Sequence, residues 1–352
     1  MRPSSVKGVW GIILGIVALA TLGACGPAGD GAPQEAGSGN AEGGVVTVYS
    51  ARIEALIKPA FEAFSQETGI EVRFTTAKAA ELLERLKAEG SNTPADLLIT
   101  VDSSNLWLAA EEGLLQAVDS ESLRRNVPAH LRDPQNRWFA LTVRARPIMY
   151  NTERVRPEEL STYEALADPR WKGRLCLRTS AKVYTQSLIA SLVANLGEEK
   201  AEEIVGGWMA NDPKIFTSDT KMLEAVAAGE CDVTVAHTYY LGRLLKKDPN
   251  FPVAVFWPNQ QDRGVHVAIS GAGVTAYAPN PEGALRLLEW LATPKAQRLF
   301  ADANLEYPVN PEVEPHPIIA AWGDFKADEL NVAELGRLQS VAVRIADRAG
   351  YR

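Results

Sequence analysis

Two adjacent tyrosines, Tyr239 and Tyr240, are the first side chains in this sequence whose placement suggests a binding site. They follow Val233 to Ala236, a mostly apolar run that predicts a short buried strand. Because consecutive strand residues point to opposite faces, both phenols can face one cleft only at the strand end or on the first turn of a helix starting near Leu241. The alternative is a pair of interfacial aromatic residues with solvated hydroxyls.

The sequence lacks three common motifs of enzyme active sites, namely a His-Glu-x-x-His helix, a Gly-x-Ser-x-Gly elbow and a Walker loop. Ser187 and Ser270 have no general base beside them in the sequence. The four histidines are scattered and do not have the spacing of metal ligands: His130, His237, His266 and His316. A binding protein is therefore favoured over an enzyme.

The first 24 residues have the composition of a lipoprotein signal peptide. Trp10 to Ala20 is an apolar run that is too short to span a bilayer comfortably. The small residues Leu22 to Ala24 then precede Cys25, as in a bacterial lipobox, which predicts that Cys25 becomes the lipidated N-terminus. The alternatives are an ordinary secretory signal and an uncleaved anchor.

Residues 25–44 are rich in glycine and alanine and predict a lipid-anchored linker. Removal of residues 1–24 removes Arg2 and Lys7, so the formal charge of −8 becomes −10. A chain with this much negative charge binds nucleic acid poorly, so no nucleic-acid partner is expected. Residues 45–352 leave room for two domains.

Alternating strands and helices predict an α/β fold. Val45 to Tyr49, Val72 to Phe74 and Ala95 to Thr100 are strand-like, and a helical pattern follows each, as in a parallel sheet with right-handed crossovers. Further along, the pattern predicts several other elements. They are an extended segment from Trp138 to Tyr150, strands at Leu175 to Leu177, Asp232 to Ala236 and Val265 to Ile269, and a closing helix from Val332 to Ala346.

With Cys25 lipidated, Cys176 and Cys231 remain. An even pair of cysteines in an exported chain favours one disulfide, and two buried free thiols are the alternative.

Several short motifs occur in an order that resembles the ferric-ion-binding proteins of bacterial ABC iron transporters. These proteins are extracellular solute-binding proteins of a family 1-like type. The resemblance covers residues 45–352. The motifs that carry it are Tyr49-Ser50-Ala51-Arg52, Thr142 to Arg146, Cys176 to Ser180 with Tyr184, Ala227 to Val233, Thr238 to Arg243, Gly264 to Val267 and Ile269 to Val274.

This resemblance implies a two-lobed periplasmic-binding-protein fold (type II) with hinge strands and a ligand cleft between the lobes. The N-terminal lobe would comprise residues 45–143 plus 268–318, and the C-terminal lobe residues 144–267 plus 319–352. The implied role is to capture Fe(III) outside the cytoplasm, as a lipid-anchored monomer in the periplasm, and to deliver it to an ABC permease in the inner membrane.

The family's metal ligands correspond to Tyr184, Tyr239 and Tyr240 here. Fe(III) prefers hard oxygen donors, and the cation supplies the driving force to ionise a phenol whose usual pKa is about 10. Three phenolates balance the charge of Fe(III), so a synergistic anion such as carbonate needs its own cation. The resemblance and the fork geometry of guanidinium point to Arg144 first and Arg52 second, with Arg146 also near the site. Salt bridges at the surface or between the lobes are the alternative for these arginines.

The sequence departs from the family at three positions. Ile53 and Glu54 stand where relatives often have His-Tyr, and of the two only Glu54 could bind metal, although a solvated helix face is the alternative. His237 stands where relatives commonly have Asn. It could hydrogen-bond the anion or act as a pH-sensitive group beside the metal ligands. The alternative is a polar residue that only occupies the same structural position. Ala268 also replaces an Asn. A small organic anion, a phosphonate-like ion or a metal chelate is therefore an alternative ligand.

Overall fold

Two mixed β-sheets, each packed against helices, organise the chain. The computed structural model describes residues 44–352. The predicted signal peptide, the lipidation site Cys25 and the linker up to residue 43 lie outside the described residues. Among the described residues, no helix combines the length and the apolar composition that a membrane crossing requires.

The first sheet has six strands in the order β11-β4-β10-β3-β1-β2. Strand β1 pairs in parallel with β2 and β3, as the alternating pattern predicted, whereas β10 runs antiparallel to both β3 and β4. The strands are β1 Val45–Ser50, β2 Glu71–Thr76, β3 Leu97–Val101, β4 Phe139–Ala145, β10 Val267–Val274 and β11 Tyr307–Pro308.

The second sheet has five strands in the order β7-β6-β8-β5-β9. Strand β6 runs parallel to β7 and β8, and β5 runs antiparallel to β8 and β9. The strands are β5 Ile148–Asn151, β6 Leu175–Arg178, β7 Lys214–Phe216, β8 Val233–Val235 and β9 Val253–Phe256. Cys176 in β6 and Cys231 just before β8 are joined in a disulfide, as the even cysteine pair predicted.

Thirteen α-helices lie within the described residues. They are α1 Glu54–Thr68, α2 Ala79–Glu89, α3 Ser103–Glu111, α4 Glu121–Asn126, α5 Val183–Leu196, α6 Glu198–Ala210, α7 Asp219–Ala227, α8 Thr238–Lys247, α9 Pro281–Leu291, α10 Pro294–Asn304, α11 Pro317–Ala320, α12 Ala333–Arg337 and α13 Gln339–Arg348. We call the six-stranded sheet with α1–α3, α9 and α10 the six-stranded lobe, and the five-stranded sheet with α5–α8 the five-stranded lobe. Helix α12 packs on α3 of the first lobe and on α5 of the second.

The chain passes between the two sheets at β4 and β10, which are hydrogen-bonded neighbours and buried along their whole length. Two glycines of β10 allow this close packing. A Cβ at Gly271 would lie 2.6 Å from the Phe139 carbonyl oxygen, and one at Gly273 would lie 2.5 Å from that of Arg137. The Gly-Ala-Gly motif is therefore required by the backbone packing of the strands that connect the lobes.

The predicted α/β class is confirmed, with corrections to individual elements. Residues 138–150 form two strands in different sheets, because the chain leaves the first sheet after Ala145 and enters the second at Ile148. The strand predicted at Val265 to Ile269 begins at Val267 and continues to Val274. The closing helix is divided into α12 and α13 at Leu338.

Candidate metal and anion site

Helix α8 carries the adjacent tyrosines on its first turn. The helix begins at Thr238 rather than near Leu241, and His237 is its N-cap residue with extended backbone angles. The rings of Tyr239 and Tyr240 are 4.1 Å apart between centroids, so the two phenols lie side by side. Because the tyrosines lie on the first turn of a helix and not in a strand, both phenols can face one cleft.

Tyr184 is the second residue of helix α5, which follows strand β6. Its hydroxyl donates a hydrogen bond of 2.6 Å to Oδ2 of Asp219, the first residue of α7. Arg178 Nε, at the end of β6, donates to the same oxygen at 2.9 Å. All three side chains are buried, and Oδ1 of Asp219 has no hydrogen-bond partner among the described residues. The buried Arg178–Asp219 ion pair therefore fixes the position of the Tyr184 hydroxyl.

The imidazole of His237 connects the two tyrosine positions. Its ring lies edge-on to the ring of Tyr184 at 4.9 Å and stacks on the ring of Tyr239 at 5.8 Å. Strands β6 and β8 are parallel neighbours, so the segments that leave their carboxyl ends converge at one edge of the sheet. The structure accordingly brings Tyr184 and the tyrosine pair together around one buried histidine.

Burial opposes charge on these side chains. It raises the pKa of Tyr184 above the usual range, with the Asp219 carboxylate adding to the effect. Burial also raises the pKa of Tyr239 well above its usual value, with a further contribution from Tyr240. The pKa of His237 is lowered well below its usual value by burial and by Arg146 and Arg144. These directions of the pKa favour the neutral phenols of Tyr184 and Tyr239 and the neutral imidazole of His237 when no cation is bound.

Arg144 and Arg146 bring two guanidinium groups to the same region with unused hydrogen-bond donors. Arg146 is 1% exposed and lies 5.0 Å over the ring of Tyr184, and its Nε and Nη1 have no partner among the described residues. Arg144 donates through Nη2 to the carbonyl of Ile269, but its Nε is also unpartnered. Buried donors are nearly always satisfied, so these positions fit an anion.

The structure places Arg52 and Glu54 differently from the sequence-based expectation. Arg52 is buried and forms an ion pair with Glu306 at 3.0 Å, and it donates to Thr142 at 3.3 Å. Glu54 is exposed on the first turn of α1, 3.8 Å from Lys58. Ile53 beside it is 68% exposed. Arg52 thus forms a buried salt bridge within the six-stranded lobe, and Glu54 lies on a solvated helix face.

Asp219, Arg178 and Glu306 are parts of this region that the sequence reasoning did not identify. Asp219 follows strand β7, which is the parallel neighbour of β6 on its other side. A polar residue soon after a third neighbouring parallel strand was the available signal, but β7 has only three residues and its pattern is weak. No group of three or more His, Cys, Asp or Glu side chains suited to a metal occurs in residues 44–352.

Comparison with known proteins shows the family of the chain. Residues 49–298 match the model of the family described as bacterial extracellular solute-binding protein. The chain belongs to this family. Iron uptake protein A1 of Synechocystis sp. is 46% identical over 316 residues, which cover 87% of each chain. The Fe(3+)-binding periplasmic protein of Serratia marcescens is 28% identical, over 84% of this chain and 88% of its own length.

Solved structures of relatives show that the similarity includes the three-dimensional fold. The complex of Trichodesmium FutA (IdiA) with iron and citrate superposes with a TM-score of 0.84 at 42% identity, covering 88% of this chain and all of that one. The ferric binding protein from Campylobacter jejuni gives a TM-score of 0.81 at 36% identity, covering 87% of this chain and all of that one. The predicted two-lobed periplasmic-binding-protein fold is confirmed by these matches.

Proposed function

We propose that this solute-binding protein captures Fe(III) outside the cytoplasm through Tyr184, Tyr239 and Tyr240 and delivers it to an ABC permease. The observation that carries the proposal is that the rings of Tyr184 and Tyr239 both contact His237 and that Tyr240 lies beside Tyr239, on helices that follow two neighbouring parallel strands. Phenolates are hard donors that suit Fe(III), and three of them balance its charge. Because burial disfavours phenolate, the cation itself must supply the free energy of ionisation.

The remaining coordination positions suit a synergistic anion. Arg144 and Arg146 have three buried nitrogen atoms between them that lack a hydrogen-bond partner within residues 44–352, and both nitrogens of His237 also lack one there. Carbonate or a small carboxylate would accept from these donors while binding the metal on its other side. Arg52 is a weaker candidate, since Glu306 already neutralises it. Glu54 would have to leave Lys58 and turn away from solvent to become a ligand.

The proposed setting follows from the family and from the N-terminal sequence. Its members bind solutes for uptake, so a binding role rather than catalysis is proposed here, with an inner-membrane ABC permease as partner. Lipidation of Cys25 would tether the protein to the membrane through the linker of residues 25–44. The protein would otherwise act as a monomer in the periplasm, with lobes divided near residues 143–144 and 267–268.

Iron loading of the purified protein tests the proposal. The Fe(III) form should be coloured, because phenolate-to-iron charge transfer absorbs visible light, and acidification should bleach it as protons displace the metal. Tyr184→Phe, Tyr239→Phe and Tyr240→Phe keep the ring packing and remove only the ligand oxygen. Their losses should be non-additive, since the three oxygens act on one ion.

The guanidinium nitrogens of Arg144 and Arg146 that lack partners among the described residues favour one second candidate, a small organic or phosphonate-like anion bound without metal. The opposing outcome is a protein that stays colourless and binds no iron after loading, while such an anion raises its melting temperature. That result would contradict the ferric proposal and support the anion.

A further inference from the structure

Two residues with strained backbones mark the places where the six-stranded lobe touches the tyrosine-bearing helices. Five non-glycine residues in the described chain have positive φ. Asn136, Asp212 and Asn259 have φ values of 49–58° and are of the residue types that tolerate the left-handed region, whereas Asp102, with ψ 139°, lies outside that region. Asp102, at φ 80°, and Leu305, at φ 55°, are the other two. Such strain persists only where the surrounding structure imposes it, and it concentrates at functional positions.

Asp102 contacts helix α5 one turn beyond Tyr184. Its carboxylate caps α3 by accepting from the Ser104 amide at 3.1 Å, and the Ser187 hydroxyl lies 2.9 Å from each of its oxygens. Asp102 and Ser187 are both 0% exposed. Ser187 lies 3.1 Å from the Val183 carbonyl as well, so its hydroxyl keeps a partner within its own helix if Asp102 moves away. The contact can therefore form and break without leaving that serine unsatisfied.

Asn304 and Leu305 contact helix α8 next to the tyrosine pair. Arg243, four residues after Tyr239, donates to Oδ1 of Asn304, and its guanidinium lies 5.0 Å over the ring of Tyr239. Leu305 packs in the same apolar cluster as Tyr239. It also fits against Gly242, where a Cβ would lie 3.0 Å from Leu305 Cδ1.

A chain of polar contacts ties this second contact to the six-stranded lobe. Asn304 donates to Glu306, which accepts from Arg52 at 3.0 Å. Arg52, Asn304 and Glu306 are all at most 4% exposed. The ion pair of Arg52 thus supports the segment that meets α8.

We propose that these contacts are two clamps by which the six-stranded lobe closes on the site without contributing a metal ligand. The first clamp is Asp102 with Ser187, and the second is Asn304 and Leu305 with Arg243 and Gly242. A closed form needs interactions that the open form lacks. The six-stranded lobe has Ile53 and an exposed Glu54 near the end of β1, so its closure depends on the clamps, which also fix α5 and α8 and hence the three tyrosines.

The clamps can be removed without damaging the lobes. Asp102→Gly deletes the carboxylate while relieving the positive φ, and glycine is well tolerated at an N-cap. Ser187→Ala removes the first clamp from the other side, and Asn304→Ala weakens the second. Ser191→Ala is the matched control, because Ser191 is a buried serine of the same helix whose hydroxyl donates to Leu188 within that helix, at 2.7 Å.

The measurements are the rate of iron release to a chelator and the radius of gyration of the metal-free protein in solution. We expect about tenfold faster release in each clamp variant and about a hundredfold in Asp102→Gly/Asn304→Ala, since separated contacts add. The metal-free double variant should also be more expanded than the wild type, while Ser191→Ala matches it.

A selective change in either measurement supports the clamps. They are refuted if the double variant matches the wild type in both, or if Ser191→Ala has the same effect as Ser187→Ala. The effect on iron rests on the proposed function, but the radius of gyration does not. A protein that binds no iron would therefore contradict the proposed function while leaving the clamps to be decided by the metal-free measurement.

Discussion

The two lobes contribute to the site in different ways. The five-stranded lobe provides the tyrosines, the histidine between them and the Arg178–Asp219 pair that holds Tyr184. Near the end of β1, the six-stranded lobe has the exposed Ile53 and Glu54, and its buried Arg52 is neutralised by Glu306. The difference suggests that one lobe binds the metal and the other secures the closed form.

The largest effect should come from the tyrosines of the five-stranded lobe. Each Tyr→Phe substitution at positions 184, 239 and 240 should weaken iron binding by more than the about 10- to 100-fold typical of residues beside a metal ligand. Competition with a chelator of known affinity measures the loss. Retention of iron at wild-type affinity by all three variants would show that the phenols are not the ligands.

The disulfide should stabilise the lobe that carries the tyrosines. Cys176 and Cys231 are 55 residues apart, and a loop of this length corresponds to about 4 kcal/mol in the chain-entropy model. We expect Cys176→Ala/Cys231→Ala to lower the free energy of unfolding by up to that amount, as measured by denaturant titration. Thiol counting on a denatured, non-reduced Cys25→Ala form supplies the control and should find no free thiol.

The next effect concerns the anion. Arg144→Ala or Arg146→Ala should remove a charged donor worth about 1.5–3 kcal/mol, and should weaken iron retention chiefly when carbonate is the only anion supplied. Iron retention measured in carbonate, citrate and phosphate separates this role from a general loss of stability. Equal retention in wild type and variants with every anion would remove both arginines from the site.

The smallest effect should come from Glu54 in the six-stranded lobe. Because Glu54 is exposed and only 3.8 Å from Lys58, Glu54→Gln should change stability and iron affinity by at most about 0.5 kcal/mol. The same chelator competition measures it. A loss of iron affinity comparable to that of a tyrosine variant would show that the six-stranded lobe also supplies a ligand. The proposed difference between the lobes would then be wrong.

Residue pattern predicted the elements that contain the tyrosines but not their exact ends. The apolar run before Tyr239 predicted strand β8, yet only the structure shows that the helix begins at Thr238. Hydrophobic periodicity locates an element well, while its first residue depends on backbone angles that periodicity does not specify.

The sequence by itself determined the α/β alternation, the cysteine pair and, through resemblance, the three tyrosines, because these depend on local patterns and short motifs. Only the tertiary structure decided that Arg52 is paired with Glu306, that Asp219 holds Tyr184 and that Asp102 meets Ser187. These partners are 254, 35 and 85 residues apart in the chain. The first two contacts depend on the order of strands within each sheet and the third on how the lobes meet, and a buried charge takes whichever partner that arrangement brings near.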